Sequence, residues 1–335
     1  MISSLRRAGV DVDERHESVW EGRRDAWRAG AITALRLARA EVALLRRPRQ
    51  RYDAVIVGYP GHVDVPAARW VARGAPVVFN PLVALSDTLV ADRGRFADGS
   101  LPARALKLVD RGALRAADVV VSDTDANARY LAELADLERV ETCFVGAEDD
   151  VFGPTARPKS FTHALFVGKL IPLHGLEAIL AAAQLTPELR FRLVGSGQLL
   201  SLLERRPANV EWVPWVEYRQ LRDEHARAGA ALGIFGTSSK AERVIPNKAF
   251  QALACGAPLV TADTPAAREL LTDGEDALLV PPGDPAALAE ALRRLANDVP
   301  LRERIGLAGL ETYRTRASED VLGRRWRDIL ERATA

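Results

Sequence analysis

Short runs rich in Val, Ile and Leu alternate with helical patterns along the chain, and this alternation constrains the fold more than any other feature. The runs lie at residues 54–58, 76–79, 118–122 and 141–145 in the first half, and at 164–167, 191–195, 230–235, 258–261 and 278–280 in the second. Apolar strands separated by helices are typical of parallel sheets that helices cover on both faces. The sequence therefore predicts an α/β protein with two doubly wound domains.

The domain organisation follows from chain length and from one interruption of the pattern. The 335 residues, 48% of them hydrophobic, are enough for two cores. Gly, Pro and acidic residues break both periodicities between Gly146 and Pro158, where we predict the hinge. We expect domains over residues 1–150 and 151–315, with a further helix over 316–335. Ligands of such sheets bind beyond the carboxyl ends of the strands, so two facing domains would define a cleft.

Charge and cysteine content exclude several classes of protein. The formal net charge is +1 and is spread along the chain, so we expect no nucleic-acid partner. The two cysteines, Cys143 and Cys255, lie far apart and outside any metal-binding pattern, which favours reduced core thiols. Without a membrane-spanning run or a signal peptide, the sequence predicts a cytoplasmic protein. Peripheral membrane contact through the Arg-rich segment Arg36–Arg51 stays open.

The stretch Ile245–Leu271, IPNKAFQALACGAPLVTADTPAARELL, predicts a loop, a helix, a tight turn and a buried strand. Pro246 fits the start of a helix, and Gly256 fits its end because glycine tolerates the left-handed conformation found there. Lys248 falls in the first turn, where a cation opposes the helix dipole unless an anion such as a phosphate lies nearby. The pattern therefore predicts an edge suited to a nucleotide diphosphate.

This stretch and the segments around it resemble the GT-B glycosyltransferases, and within them the retaining family 4. The matching segments, in the order of that family, are FVGKLIPLHGLEAILAAA, FRLVGSGQ, NVEWVPWV, the stretch above and DGEDALLVPPGDPAALAEAL. The N-terminal half matches loosely, through YDAVIVGYPGH and PVVFNP. The resemblance implies transfer of a sugar from a nucleotide-diphosphate donor to a glycan, lipid-linked or small-molecule acceptor, with retention and without a metal or a cofactor. It also implies a final helix that crosses back to the first domain, with Trp326 in a packing role.

The beginning of the chain departs from the resembled pattern. Residues 3–9 predict the end of a helix that leads into a strand at Val10–Asp13, as if the chain started inside its first βα unit. The resemblance then implies that the first strand and its Gly-rich turn are missing. A misassigned start and a reduced form of the N-terminal domain are the two explanations, of which we favour the first.

The resemblance places a basic pair after the first strand of the C-terminal domain, to neutralise the leaving diphosphate. Lys169, next to Gly168, and His174 occupy these positions. His174 replaces the usual lysine, and an unperturbed imidazole changes charge near pH 6.5. The alternatives are a solvated residue at the strand end for Lys169 and a helix-start residue for His174.

The Glu-x7-Glu pair of the resembled family is degenerate. Gln251 stands at its second position and Arg243 at its first, with Glu242 adjacent. An amide oxygen can still accept a hydrogen bond from a ribose hydroxyl, whereas Arg243 reverses the charge. Because the chain resembles a subset with Pro-Asn-Lys at this helix start, we predict that Arg243, Asn247 and Lys248 bind the donor, with solvated loop charges as the alternative.

Further candidates come from strand ends. Gly195 and Gly197 follow a strand and would let the backbone approach a phosphate or nucleoside, although a lone Gly-x-Gly is weak evidence. Either Trp212 or Trp215 packs under the base in one interpretation and in a core or between domains in the other.

On the N-terminal side we predict His62, in YPGH, as a catalytic contact of the sugar or the acceptor, with a structural loop histidine as the alternative. Asp64 and Asp87 are the candidates to receive the acceptor proton, and the sequence does not choose between them. Retaining members of the resembled family have no agreed nucleophile, so none is predicted.

Two other functions keep the same fold. A non-catalytic nucleotide-sugar-binding or scaffold protein would explain the replaced carboxylates, and a nucleotide-sugar epimerase would release a free sugar without an acceptor. A phosphorylase would need a lysine that carries pyridoxal phosphate, and the sequence singles out no such residue.

Overall fold

The computed structural model describes residues 1–17, 19, 31–46 and 50–335. Within these residues the chain forms two parallel sheets, one in each half. The predicted α/β class with two doubly wound units is therefore confirmed. The hydrogen-bonded strand order is β1-β2-β3-β4 in the first sheet and β10-β9-β8-β5-β6-β7 in the second.

The strands are short and lie at or close to the predicted runs. Their bounds are β1 Val55–Val57, β2 Val77–Phe79, β3 Val119–Ser122, β4 Glu141–Thr142, β5 Ala164–Val167, β6 Phe191–Val194, β7 Val210–Val213, β8 Ala230–Leu232, β9 Leu259–Ala262 and β10 Leu278–Val280. β7 was not predicted as a strand, because its polar Glu211 and half-buried Trp212 break the apolar run expected of a central strand. It lies at the edge of the second sheet, where such residues are tolerated.

Helices connect the strands and cover the sheets. Their bounds are α1 Ile2–Arg7, α2 Ala31–Arg46, α3 Val65–Ala72, α4 Leu101–Ala116, α5 Asp125–Ala135, α6 Leu176–Leu185, α7 Leu221–Arg227, α8 Asn247–Ala254, α9 Pro265–Leu270, α10 Pro285–Asn297, α11 Val299–Arg316 and α12 Glu319–Thr334. A π-helical segment, Asp87–Asp92, follows β2, and a 3-10 turn, Pro172–His174, precedes α6.

The first sheet carries helices on both faces. Val57, Val77 and Phe79 pack with residues of α3, α4 and α5 on one face. On the other face Val78 and Val121 pack with a cluster from α1 and α12 that includes Trp326. Trp326 is 2% exposed and has the packing role expected of it. Helix α12 thus follows the second sheet in the chain but packs on the first.

The predicted strand at Val10–Asp13 is wrong, because these residues form no strand. Val10 and Val12 instead pack against the cluster that contains Trp326. The alternating apolar residues therefore reflect one-sided contact with α12 and not pairing in a sheet.

The second sheet has the larger core. Phe166, Phe191 and Leu232 pack with α6 and α10 on one face, whereas α8, α9 and α11 contribute to the cluster on the other. Since its strands are parallel, the helices that follow β5 and β8 begin at the carboxyl edge of the sheet. The starts of α6 and α8, which carry several predicted site residues, therefore meet at one edge.

Candidate functional site

Two glycine-rich turns lie against each other at the carboxyl edge of the second sheet. Gly168 follows β5 with φ +151°, and Gly195 follows β6 with φ +142°. A Cβ added at Gly195 would lie 1.9 Å from the carbonyl oxygen of Gly168. Likewise, a Cβ at Gly197 would lie 2.6 Å from the carbonyl oxygen of Leu170. Only glycine fits this contact.

Lys248 points its ammonium group at this glycine contact. Its side chain begins in the first turn of α8 and is only 7% exposed. The Nζ atom lies 3.8 Å from the ring centroid of Phe166 and would be 2.8 Å from a Cβ added at Gly168. Among the described residues it has no hydrogen-bond partner. Burial without a counterion holds the pKa of Lys248 well below its ordinary value.

His174 lies beside Lys248 and is uncharged at neutral pH. Its ring hydrogen-bonds the carbonyl oxygen of Lys169 and meets the Phe166 ring edge-on, with 5.6 Å between centroids. Burial, reinforced by repulsion from Lys248, holds the pKa of His174 well below 6.5. A carbonyl oxygen only accepts, so Nδ1 carries the proton and Nε2 of the neutral ring is an acceptor.

The remaining predicted residues of the C-terminal half lie around this centre. The side chains of Lys169 and Asn247 are exposed. Gln251 is buried on α8, near the side chain of Tyr218. Trp212 donates from Nε1 to the carbonyl oxygen of Gly195 at 2.8 Å. Trp215, in contrast, is 67% exposed.

The structure does not bring Arg243 to the glycine turns. Its guanidinium pairs with Asp87 of the π-helical segment at 2.9 Å and lies 4.0 Å from the centroid of the Tyr130 ring. Both partners belong to the N-terminal half. Arg243 therefore joins the two halves through an ion pair and a cation–π contact. Asp87, a candidate for the acceptor proton, is the carboxylate in this pair.

The buried cation Lys240 also joins the two halves, beside Arg243. The sequence did not predict a role for it. Its Nζ donates to Thr88 Oγ1 at 2.9 Å and lies 4.0 Å from Asp92. Asp92 also accepts from the backbone N–H of Leu173, one residue before His174, at 3.0 Å. These partners lie 81 to 152 residues apart in sequence, so no local pattern identifies them.

Glu269 supplies another contact across the junction that the sequence did not reveal. Its two carboxylate oxygens accept from the backbone N–H groups of Asp125 and Ala126, each at 2.7 Å. These N–H groups lie at the start of α5, where a helix favours a negative charge.

His62 lies inside the N-terminal half and not on its surface. The residue is 4% exposed, its ring meets Phe79 edge-on, and Nε2 lies 3.2 Å from Asp110 of α4. Its other ring nitrogen faces the carbonyl oxygen of Pro60. Burial outweighs the attraction of Asp110 and lowers the pKa of His62. Asp64, the other candidate acid, lies near Glu41, and burial together with the Asp64 carboxyl raises the pKa of Glu41 to about 8.

Among the described residues, no group of three or more His, Cys, Asp or Glu side chains could hold a metal ion. In the same part of the chain, no helix is long and apolar enough to cross a membrane.

The sequence relatives of the chain include glycosyltransferases. The family model described as "Glycosyl transferases group 1" matches residues 162–298, which contain the glycine turns and Lys248. The D-inositol 3-phosphate glycosyltransferase of Nocardioides sp. is 32% identical to this chain over an alignment of 369 residues, gaps included. The alignment covers 98% of this chain and 77% of that relative.

Solved structures share the fold across both halves. Sucrose-phosphate synthase from Thermosynechococcus elongatus superposes with a TM-score of 0.73 at 18% identity, covering 90% of this chain and 78% of that one. Anabaena HepE in complex with UDP-glucose gives a TM-score of 0.68 at 17% identity, covering 89% and 82%. The relatives and the shared architecture lead to one conclusion: the chain belongs to the group 1 family of glycosyltransferases, with the GT-B fold that its C-terminal motifs predict.

Proposed function

We propose that the enzyme binds a nucleotide-diphosphate sugar at the carboxyl edge of its second sheet, with the diphosphate held against Lys248. The observation that carries this proposal is the buried Lys248 amine beside the bare backbone of Gly168 and Gly195. A buried cation without a counterion destabilises a fold, and an arriving anion removes that cost.

Stabilisation of the negative charge on the diphosphate follows from the same geometry. A diphosphate next to Lys248 favours the protonated form of its amine, because a nearby anion raises the pKa of a base. The resulting ammonium stabilises the leaving diphosphate as the glycosidic bond breaks. Lys169 supplies a second, exposed cation. The Nε2 atom of neutral His174 can accept a hydrogen bond from a hydroxyl group of the nucleotide sugar.

Other donor contacts are assigned by position. Gln251 lies on the helix that carries Lys248 and is proposed to bind the ribose. UDP is the favoured nucleotide, because the structural neighbour HepE was solved with UDP-glucose. Asn247 at the exposed start of α8 is proposed as a further donor contact. Arg243 acts here by holding the two halves together, since Asp87 already occupies its guanidinium.

The acceptor is proposed to enter from the N-terminal half and to be a glycan, a lipid-linked molecule or a small molecule. Retention of configuration and metal-free transfer are further parts of the proposal, the latter because Lys248 and Lys169 supply positive charge at the diphosphate. A positioning role for His62 replaces the predicted catalytic one, because its ring is buried against Asp110. The buried thiols Cys143 and Cys255 favour a cytoplasmic location. Membrane contact near Arg36–Arg51 involves α2, and residues 47–49 of that segment lie outside the described residues.

Donor binding is tested by thermal unfolding of the protein with UDP, GDP, ADP and their sugars. A ligand at 100 times its dissociation constant adds about 2.7 kcal/mol to the free energy of unfolding. We expect one nucleotide to stabilise the wild-type protein and the exposed-site control Lys159→Met, but not Lys248→Met. Sugar transfer with the stabilising donor then tests the reaction. The absence of any nucleotide effect on the wild-type protein would contradict the proposal.

A further inference from the structure

Helix α4 exposes an apolar stripe on the outer surface of the N-terminal half. Leu101, Ala105, Leu108 and Gly112 follow one another at helical spacing, and all four are exposed. Leu101 and Leu108 are 81% and 68% exposed. A helix of a globular protein normally buries its apolar stripe, and α4 already packs its opposite side against the first sheet. The stripe is therefore additional to the core contact.

Basic residues border this stripe. Arg104, Lys107, Arg111 and Arg115 are exposed, whereas the one acid in the α4 sequence, Asp110, is fully buried. The α4 surface thus combines solvent-facing leucines with four cations.

Two nearby acids reduce the positive charge without cancelling it. Asp98 lies 3.5 Å from Lys107, and Asp136 lies 3.8 Å from Arg115. Both pairs are exposed, where an ion pair contributes little to stability, and each acid offsets the charge of one cation. Four cations against two acids leave the α4 surface with excess positive charge.

The stripe is presented by a helix that is fixed from both sides. Arg111 and Arg115 each donate from Nε to a carbonyl oxygen at the end of α5, at 2.7 Å. On the inner side, Asp110 accepts from the backbone N–H groups of Leu85 and Ser86 at 2.8 and 2.9 Å. A ligand of the stripe would therefore order no new segment.

We propose that the outer surface of α4 docks on an anionic lipid bilayer, with Leu101 and Leu108 inserted at the interface and the bordering cations at the lipid phosphates. An apolar stripe flanked by Arg and Lys is the arrangement that binds such an interface. A second copy of the chain fits less well, because a two-fold contact through the stripe would bring two equally basic surfaces together. The proposal does not depend on the donor site.

Sedimentation of the full chain with vesicles tests this surface. We expect binding to vesicles of phosphatidylglycerol and phosphatidylcholine, much weaker binding to phosphatidylcholine alone, and release by high salt. The double variant Leu101→Ser/Leu108→Ser should reduce partitioning at least about tenfold, and Arg104→Gln about fivefold. Leu307→Ser is the matched control, since Leu307 of α11 is 69% exposed but lies outside the α4 surface.

A label read in the folded protein gives a second measurement. Cysteine introduced at position 108 or 307 can be labelled selectively, because Cys143 and Cys255 are buried. A polarity-sensitive dye on Leu108→Cys should shift to the blue with anionic vesicles, and the same dye on Leu307→Cys should not. Equal partitioning of the leucine variant and the wild type, no shift at position 108, or a dimer in light scattering that Leu101→Ser/Leu108→Ser dissociates would overturn the proposal.

Discussion

Two buried lysines on the same half of the molecule differ in what surrounds them. Lys240 and Lys248 are 5% and 7% exposed. Lys240 meets Thr88 and Asp92 across the junction between the halves, whereas Lys248 meets an aromatic ring and, among the described residues, no hydrogen-bond partner. Burial lowers the pKa of both, but only at Lys240 does a carboxylate oppose the shift.

This difference separates structural cations from binding cations. A paired buried charge contributes to the native arrangement, and removing one partner leaves the other uncompensated. A buried amine without a counterion or hydrogen-bond partner is uncompensated in the empty fold, so a ligand is the physical reason to expect for it. Arg243 belongs to the first class and Lys248 to the second, although the sequence predicts both as donor ligands.

The largest expected effect is that of Lys248→Met. We expect kcat/KM for sugar transfer to fall about 100- to 1000-fold, as for loss of a group that stabilises a developing anion. The free energy of unfolding of the ligand-free protein should rise by about 1–3 kcal/mol, because a buried unsatisfied donor is removed. Steady-state kinetics and chemical denaturation measure the two effects. A destabilised variant with full activity would reverse the interpretation of this lysine.

The next largest effect is that of Lys240→Met, which should destabilise the protein where Lys248→Met stabilises it. We expect a loss of about 3 kcal/mol in the free energy of unfolding, since Asp92 would remain buried without its cation. Denaturation of Lys240→Met and Lys248→Met under the same conditions gives the comparison directly. Equal stability changes in the two variants would show that partners at this junction do not matter.

Acid extends the comparison to the histidines whose charged form is disfavoured by burial. Burial lowers the pKa of His62, His163, His174 and His225, the last to about 3. Below pH 6.5 these histidines bind protons in the unfolded chain but not in the folded chain. The free energy of unfolding that they contribute above that pH is therefore lost as the pH falls. For His225 alone the loss reaches about 2 kcal/mol at pH 5.

The measurement is denaturation of the wild type and His225→Leu at pH 7.5 and pH 5. We expect the variant to lose less stability between the two pH values. An identical pH dependence in the two proteins would mean that His225 becomes charged in the native state.

The smallest expected effect concerns His62 in the N-terminal half. Because its ring is buried against Asp110, His62→Gln should change kcat less than about threefold and lower the free energy of unfolding by about 1 kcal/mol, the value of a typical hydrogen bond. A loss of kcat of about 100-fold at unchanged stability would restore the catalytic role predicted from the sequence.

Local patterns were sufficient for most of the fold but for only part of the site. The apolar runs predicted the strands because buried parallel strands have a distinctive composition. The glycines at 168, 195 and 197 were predictable because their backbone conformation and close contacts admit no side chain. The alternation of apolar residues at Val10–Asp13 led to a wrong strand prediction. Contact with α12, more than 300 residues away in the chain, produces the same pattern as a strand.

By itself the sequence determined the fold class, the family and the edge of the sheet at which we propose the donor site. These features depend on short-range periodicity, turn chemistry and residue order, all of which are local. Only the tertiary structure decided which cation is free for a ligand and which is already paired, and that His62 lies inside a domain. The pairing of Lys240 and Arg243 depends on partners 152 and 156 residues away, and the desolvation that shifts a pKa exists only after the chain has packed around the group.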